Sequence, residues 1–256
     1  MTTRHHAHWP PGLPMDFPLP QESVALNLER SAARVPDQTA LSYHGHRLSY
    51  AELNDAVQRL AGWLQAHGVQ KGDRVLLYMQ NAPQYVIAYY AILRADAAVI
   101  PVNPMNRQAE LEHLARDTGA RVAICGTELL AHVQPLAEAG LLDHILTAAY
   151  ADMADPDHDI PLHDTLRGHS DEAARGPGTL PFRAALAAGH APGPITAGAE
   201  DLAVIPYSSG TTGHPKGCVH THASVSASRL CSLGKRMPTL VTCWSTTSAM
   251  IHCKSH

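Results

Sequence analysis

The stretch from Arg74 to Ala148 constrains the fold more than any other part of the chain. Four short apolar runs occur there: RVLLYM from Arg74, AAVIPV from Ala97, RVAIC from Arg121 and HILTA from His144. Such runs suit strands that are covered on both faces. Between them lie segments with helical patterning, from about Pro83 to Leu93, Gln108 to Asp117 and Glu128 to Ala139. Strands alternating with helices predict an α/β fold with a mostly parallel sheet flanked by helices. Right-handed crossovers follow as the default connection.

The residues before this block supply its lead-in. Positions 23 to 34 read as a short helix with Val24, Leu28 and Ala32 on one face. TALSYHGHRLSY reads as a hairpin that turns at His44-Gly45, where glycine tolerates a positive φ. Ser49 and Glu52 then form the S-x-x-E pattern of a capping box, in which each side chain answers an unpaired backbone N–H. Leu53, Val57, Leu60 and Leu64 recur at helical spacing, and Gly68 stands where a helix stops. A leucine stripe of this kind is core packing rather than a ligand surface.

Composition removes several classes of function. The chain of 256 residues has a formal charge of -4 with its 18 histidines neutral, so it presents no basic footprint for nucleic acid. Its longest apolar region, Tyr85 to Val102, is interrupted by Arg94 and Asp96, whereas a membrane span needs about 20 mostly uncharged apolar residues. No transmembrane segment is expected. Five cysteines without paired spacing do not suggest a disulfide framework, and the amino terminus lacks a signal-peptide core, so a cytoplasmic location is expected. His5, His6 and His8 have no neighbouring ligands in sequence and belong to an expected mobile tail rather than a metal site.

Residues 151 to 200 are rich in proline and glycine, and apart from a brief helix at Phe182 to Ala188 they read as loop. DLAVIPYS restores a strand and delivers the chain into SSGTTGHPKG, residues Ser208 to Gly217. Gly210, Gly213 and Gly217 allow tight turning and close approach to a ligand. Successive backbone N–H groups in such a turn form a concave anion nest. Ser208, Ser209, Thr211 and Thr212 add hydroxyl donors, and Lys216 adds a positive charge suited to phosphate. Pro215 stiffens the approach to that lysine. A flexible surface turn would need neither the proline nor a lysine in register with the glycines. The Walker A pattern does not fit, because Pro215 stands where its second glycine belongs and Gly217 where its hydroxyl residue belongs. The composition therefore predicts a polyphosphate cradle of another kind. His220 and His222 lie two apart, but no third ligand accompanies them, so a structural or loop-anchoring role is expected over a metal pair.

YSSGTTGHPKGCVHTH resembles the signature of the AMP-forming adenylate synthetases, which include acyl- and aryl-CoA ligases, peptide-synthetase adenylation domains and firefly-type luciferases. LSYAELNDAVQRLAGWLQAHGVQKGDRV, AILRADAAVIPVNP and AELEHLARDTGARVAI resemble earlier blocks of the same superfamily. Asp96 departs from the pattern, since relatives often carry glycine there, and Asn103-Pro104 looks more like the CoA ligases. The resemblance implies the incomplete N-terminal domain of an adenylate-forming enzyme. It implies activation of a small-molecule carboxylic acid, fatty or aryl, by ATP, followed by transfer to coenzyme A. Phosphate contacts would come from Ser208, Ser209, Gly210, Thr211, Thr212, Gly213 and Lys216, with Pro215 and Gly217 shaping the loop. Relatives bind Mg2+ through a later glutamate motif not found here, and no catalytic residue is assigned.

The last part of the chain looks different. From Ser224 to His256 there are eleven Ser or Thr residues, three of the five cysteines and no acidic residue. No helical or alternating period is evident, and a frameshifted or prematurely ended reading frame from about residue 226 is the expectation. The expected layout is a mobile tail over 1–22, an α/β lobe over 23–150, a variable connection over 151–200, the strand and phosphate loop over 201–225, and an aberrant tail over 226–256. The alternative is a non-catalytic, nucleotide-binding or inert fragment of such a ligase. On either reading the isolated chain is expected to self-associate through uncovered sheet edge and apolar surface.

Overall fold

The computed structural model describes residues 19–160, 162–167, 176–208 and 215–233. In chain order the first elements are α1 (Leu26–Arg34), β1 (Thr39–Tyr43), β2 (His46–Ser49), α2 (Tyr50–Ala66), β3 (Arg74–Tyr78) and α3 (Pro83–Arg94). Then come β4 (Ala98–Val102), α4 (Gln108–Thr118), β5 (Val122–Gly126), a 3-10 turn at Thr127–Leu129, α5 (Leu130–Glu138) and β6 (His144–Ala148). The remainder holds a 3-10 turn at Tyr150–Met153, α6 (Asp164–Arg167), β7 (Thr179–Pro181), α7 (Phe182–Ala187), β8 (Leu202–Val204), β9 (Tyr207–Ser208), β10 (Lys216–Gly217), β11 (His220–Thr221) and α8 (His222–Leu233).

The main sheet has seven strands in the order β11-β8-β4-β3-β5-β6-β7. All neighbours pair in parallel except β11, which runs antiparallel to β8. The apolar runs are therefore inner strands of a parallel sheet, as their composition predicts. Side chains alternate between its two faces. Val75 and Leu77 of β3 join the core built with α1, α2, α3 and α7, while Leu76 and Tyr78 join a second core with Leu111 and Leu114 of α4 and Val133 and Leu136 of α5. Each fully buried leucine contributes about 1.5–3 kcal/mol relative to an exposed one.

Local chemistry sets the element ends. The hairpin turn places both His44 and Gly45 at positive φ, 41° and 80°, as a two-residue turn between twisted strands requires. A Cβ at Gly45 would stand 2.5 Å from the ring of His158, so the turn is also packed too closely for a side chain. At the start of α2 the Ser49 hydroxyl accepts the Glu52 N–H at 3.2 Å, and a Glu52 carboxylate oxygen accepts the Ser49 N–H at 2.8 Å. That bond to the Ser49 backbone, with one to its hydroxyl, holds the Glu52 carboxyl below its usual range.

Four sequence expectations are corrected. The first helix begins at Leu26, not near residue 23: the N–H groups of Leu26, Asn27 and Leu28 bond to carbonyls only three residues back, at Ser23, Val24 and Ala25, so the entry is a tighter turn than an α-helix. The stretch from 151 to 200 is not only loop and a single helix, since its Thr179–Pro181 forms the edge strand β7 beside β6. DLAVIPYS does not run as one strand. It breaks at Ile205-Pro206, so that β8 lies in the main sheet and β9 in a separate ribbon. Proline has no N–H to continue a ladder, and here its carbonyl instead accepts the Cys218 N–H at 2.8 Å. Finally, α8 carries regular structure past residue 225 to Leu233.

Asp96, the departure from the family pattern, has φ 60° and occupies the left-handed region that glycine otherwise fills. Its side chain has its own work. One carboxylate oxygen accepts the N–H and hydroxyl of Thr196 at 2.8 and 2.7 Å, and the other accepts the Ala197 N–H at 3.1 Å. The chain arriving at β8 is thereby tied to the loop between α3 and β4.

Candidate functional site

Strand β8 runs parallel to β4, so the chain leaves it at the carboxyl end of the sheet, where open α/β sheets bind ligands. There β9 and β10 form a two-stranded antiparallel ribbon in which Lys216 faces Ser208 and Gly217 faces Tyr207. The glycine-rich segment is thus the connection of a hairpin. Ser208, Lys216 and Gly217 are exposed and Pro215 is half-buried. Ser209, Gly210, Thr211, Thr212 and Gly213 lie outside the described residues.

The base of the ribbon is held against α4. The Tyr207 hydroxyl donates to the Asp117 carboxylate. The Nε2 of His113 lies 3.2 Å from the Pro215 carbonyl and must be the donor there, since a carbonyl only accepts. The rings of His113 and Tyr207 meet nearly edge to face, with centroids 6.4 Å apart and planes at 87°. Burial, reinforced by the bond to Asp117 and the carboxylate's charge, pushes the Tyr207 phenol well above its usual range, so it remains a donor. Gly217 is required by contact. A Cβ there would meet Ile205 Cγ2 at 2.8 Å and the Tyr207 ring at 3.1 Å. Tyr207 and Ile205 pack in turn on the second core, to which Leu111 and Leu114 of α4 belong.

Lys216 makes no ion pair among the described residues, and as the direct cross-strand partner of Ser208 it shares a face of the ribbon with that hydroxyl residue. A cation and a hydroxyl donor bracketing a glycine-rich turn form a donor set suited to phosphate oxygens. Among the described residues no group of three or more His, Cys, Asp or Glu is arranged to hold a metal ion.

His220 and His222 are not brought together as a pair. His220 lies in β11, with its Nδ1 3.4 Å from the Ser224 hydroxyl. His222 opens α8 and is fully buried, and its Nδ1 accepts the N–H of Val24 at 3.1 Å across 198 residues. Its own N–H donates to the Asp201 carbonyl at 3.1 Å. The Asp201 carboxylate pairs with Lys71 at 2.9 Å and accepts the Gly198 N–H at 2.8 Å, interactions that hold it below the usual carboxylate range. His222 therefore anchors the strand that follows the ribbon. His113, Asp117 and Tyr207 were not singled out from sequence as parts of the site. Their contacts span 90 and 102 residues, and no local pattern announces them.

Comparison with known proteins gives a consistent picture. The family model described as AMP-binding enzyme matches residues 28–256, a span that includes the segment expected to depart from the pattern. A long-chain-fatty-acid–CoA ligase of Bacillus subtilis strain 168 is 33% identical over 226 residues, covering 86% of this chain and 40% of the relative. The crystal structure of the anthranilate CoA ligase AuaEII in complex with anthranoyl-AMP superposes with a TM-score of 0.70 at 23% identity, over 86% of this chain and 38% of that one. The inhibitor-bound N-terminal domain of FACL13 from Mycobacterium tuberculosis gives a TM-score of 0.61 at 26% identity, over 85% and 48%. The chain spans about two fifths of the length of the curated CoA ligases it matches. With a matched span reaching from α1 through the ribbon, and a sheet shared with these ligases, the chain belongs to the AMP-binding enzyme family.

Proposed function

We propose that the chain carries the ATP-phosphate-binding part of an AMP-forming acid–CoA ligase. In the first step the carboxylate of a fatty or aryl acid attacks the α-phosphate of ATP, giving an acyl-adenylate and pyrophosphate. In the second, the thiol of coenzyme A displaces AMP and a thioester forms. The observation that carries this reading is the register of the ribbon, which sets Lys216 opposite Ser208 at the mouth of the glycine-rich connection. As the bond to the α-phosphate breaks, negative charge accumulates on the leaving pyrophosphate. Preorganised ammonium, hydroxyl and backbone N–H donors stabilise that charge, and the loss of one such donor costs about 2.7–4 kcal/mol of barrier in comparable sites. Ser209, Gly210, Thr211, Thr212 and Gly213 would complete the donor set. Mg2+ would screen the triphosphate when bound, and no ligand for it is assigned to this chain. The acid class draws on the names of the relatives, one acting on long-chain fatty acids and one on anthranilate. Among the described residues Cys125 and Cys218 form no disulfide, and we place the reaction in the cytoplasm.

Pyrophosphate exchange with a panel of fatty and aryl acids, run beside ATP titration, tests the proposal. Exchange that disappears in Lys216→Ala is the expected result. ATP binding without exchange would reduce the chain to a nucleotide-binding piece of such a ligase. Affinity for ATP unchanged by Lys216→Ala would overturn the phosphate role of the ribbon.

A further inference from the structure

Strands β9 and β10 pair through only two residues each. A two-stranded ribbon of that length has no stable orientation by itself, yet phosphate recognition needs its donors fixed. Beyond the packing of Ile205 and Tyr207 on the second core, the polar hold on the ribbon comes from one turn of α4. His113 and Asp117 are four apart and share a helix face. One grips the start of β10 through the Pro215 carbonyl, and the other grips β9 through the Tyr207 hydroxyl. The two grips are joined by the edge-to-face contact between the His113 and Tyr207 rings. Both strands of the ribbon are therefore held from a single rigid element, at points immediately flanking the segment that connects them. Asp117 is exposed and His113 half-buried, so neither belongs to the apolar core whose loss would unfold the sheet.

We propose that His113 and Asp117 are positioning residues, a clasp on α4 that sets the angle at which the β9–β10 ribbon presents Ser208 and Lys216 to a polyphosphate. The inference rests on the phosphate role proposed for the ribbon. The clasp does not touch the nucleotide. It acts through Tyr207 and the Pro215 carbonyl, so its loss removes no phosphate ligand but lets the ribbon that carries Lys216 pivot.

The test is ATP titration with parallel thermal melts on the full chain. Lys216→Ala comes first and must weaken binding. Asp117→Ala, Tyr207→Phe and His113→Leu are each expected to raise the ATP Kd by about two- to tenfold, the effect of one intramolecular hydrogen bond, with the melting temperature unchanged. Asp117→Asn keeps an acceptor and His113→Gln keeps an N–H donor, so both are expected to restore binding. Asp117→Ala combined with Tyr207→Phe is expected to be no worse than either alone, because both remove the same bond. Wild-type affinity in the Ala, Phe and Leu variants would overturn the clasp, as would additive losses or Asn and Gln variants no better than Ala and Leu. If Lys216→Ala leaves binding intact, or the chain binds no ATP, the phosphate reading fails and a second readout still decides the clasp. The Cys218 N–H, bonded to Pro206 across the ribbon base, is expected to exchange with solvent faster in Asp117→Ala. Unchanged exchange there would overturn it.

Discussion

The parallel sheet and the β9–β10 ribbon are held by different means. Strands β3, β4, β5 and β6 are sealed between two apolar cores, and Val75, Leu77, Val99, Ile100, Ile124 and Leu146 have no solvent exposure. The ribbon is two residues wide in each strand, with Ser208, Lys216 and Gly217 open to solvent, and it is tied down by a few polar contacts and one glycine. A cooperative core is insensitive to any single polar contact, while the ribbon depends on each of its own. Stability and proposed phosphate recognition therefore reside in separable parts of the molecule.

That separation can be broken experimentally, and the largest effect is expected in the sheet. Leu77→Ala should cost about 2–5 kcal/mol of stability, the usual range for a fully buried leucine, and chemical denaturation would measure it. A cost under about 1 kcal/mol would mean that the core is far less tightly packed than the contacts indicate. Gly217→Ala is the counterpart in the ribbon. The added methyl collides with Ile205 and the Tyr207 ring, at a local cost of about 1–3 kcal/mol. ATP affinity should fall while the circular dichroism of the sheet stays unchanged, and a collapse of the whole spectrum would show that the two regions are not separable. Ser49→Ala removes the cap of α2 and should cost about 1 kcal/mol with nucleotide affinity unaffected.

The smallest expected effect concerns acid. Burial lowers the pKa of His222, and burial together with nearby His67 lowers that of His144. Below about pH 6.5, the ordinary histidine value, the unfolded chain takes up protons that the folded chain refuses. Stability should therefore fall as pH drops from there through the folded-state values and be fully present above. Melting temperatures of wild type and His222→Gln between neutral and mildly acidic pH would sharpen the comparison. The Gln oxygen can still accept the Val24 N–H, so the variant should show a shallower slope, and an identical slope would assign the acid sensitivity to other groups.

What the sequence made legible followed from periodicity and local chemistry. The four apolar runs, the Ser49–Glu52 cap and the His44-Gly45 turn are each encoded within a few neighbouring residues, and each is present in the structure. Strand β7 was not legible, because its three residues end in proline and become a strand only by lying beside β6. The break at Ile205-Pro206 left a visible proline in the sequence, but the apolar run around it read as continuous. The composition of the glycine loop pointed to phosphate, whereas its supports on α4 are side chains far away in sequence. His222 was legible as an anchor, but not what it anchors, since its partner is a bare backbone N–H near the other end of the described fold.

That last bond has a consequence for synthesis. A ribosome releases Val24 long before it makes His222, so the amide has to wait, solvated by water, while nearly 200 residues are added. The segment leading into α1 is thus translated well before its partner and among the last to dock, because the histidine that holds it lies beyond the ribbon.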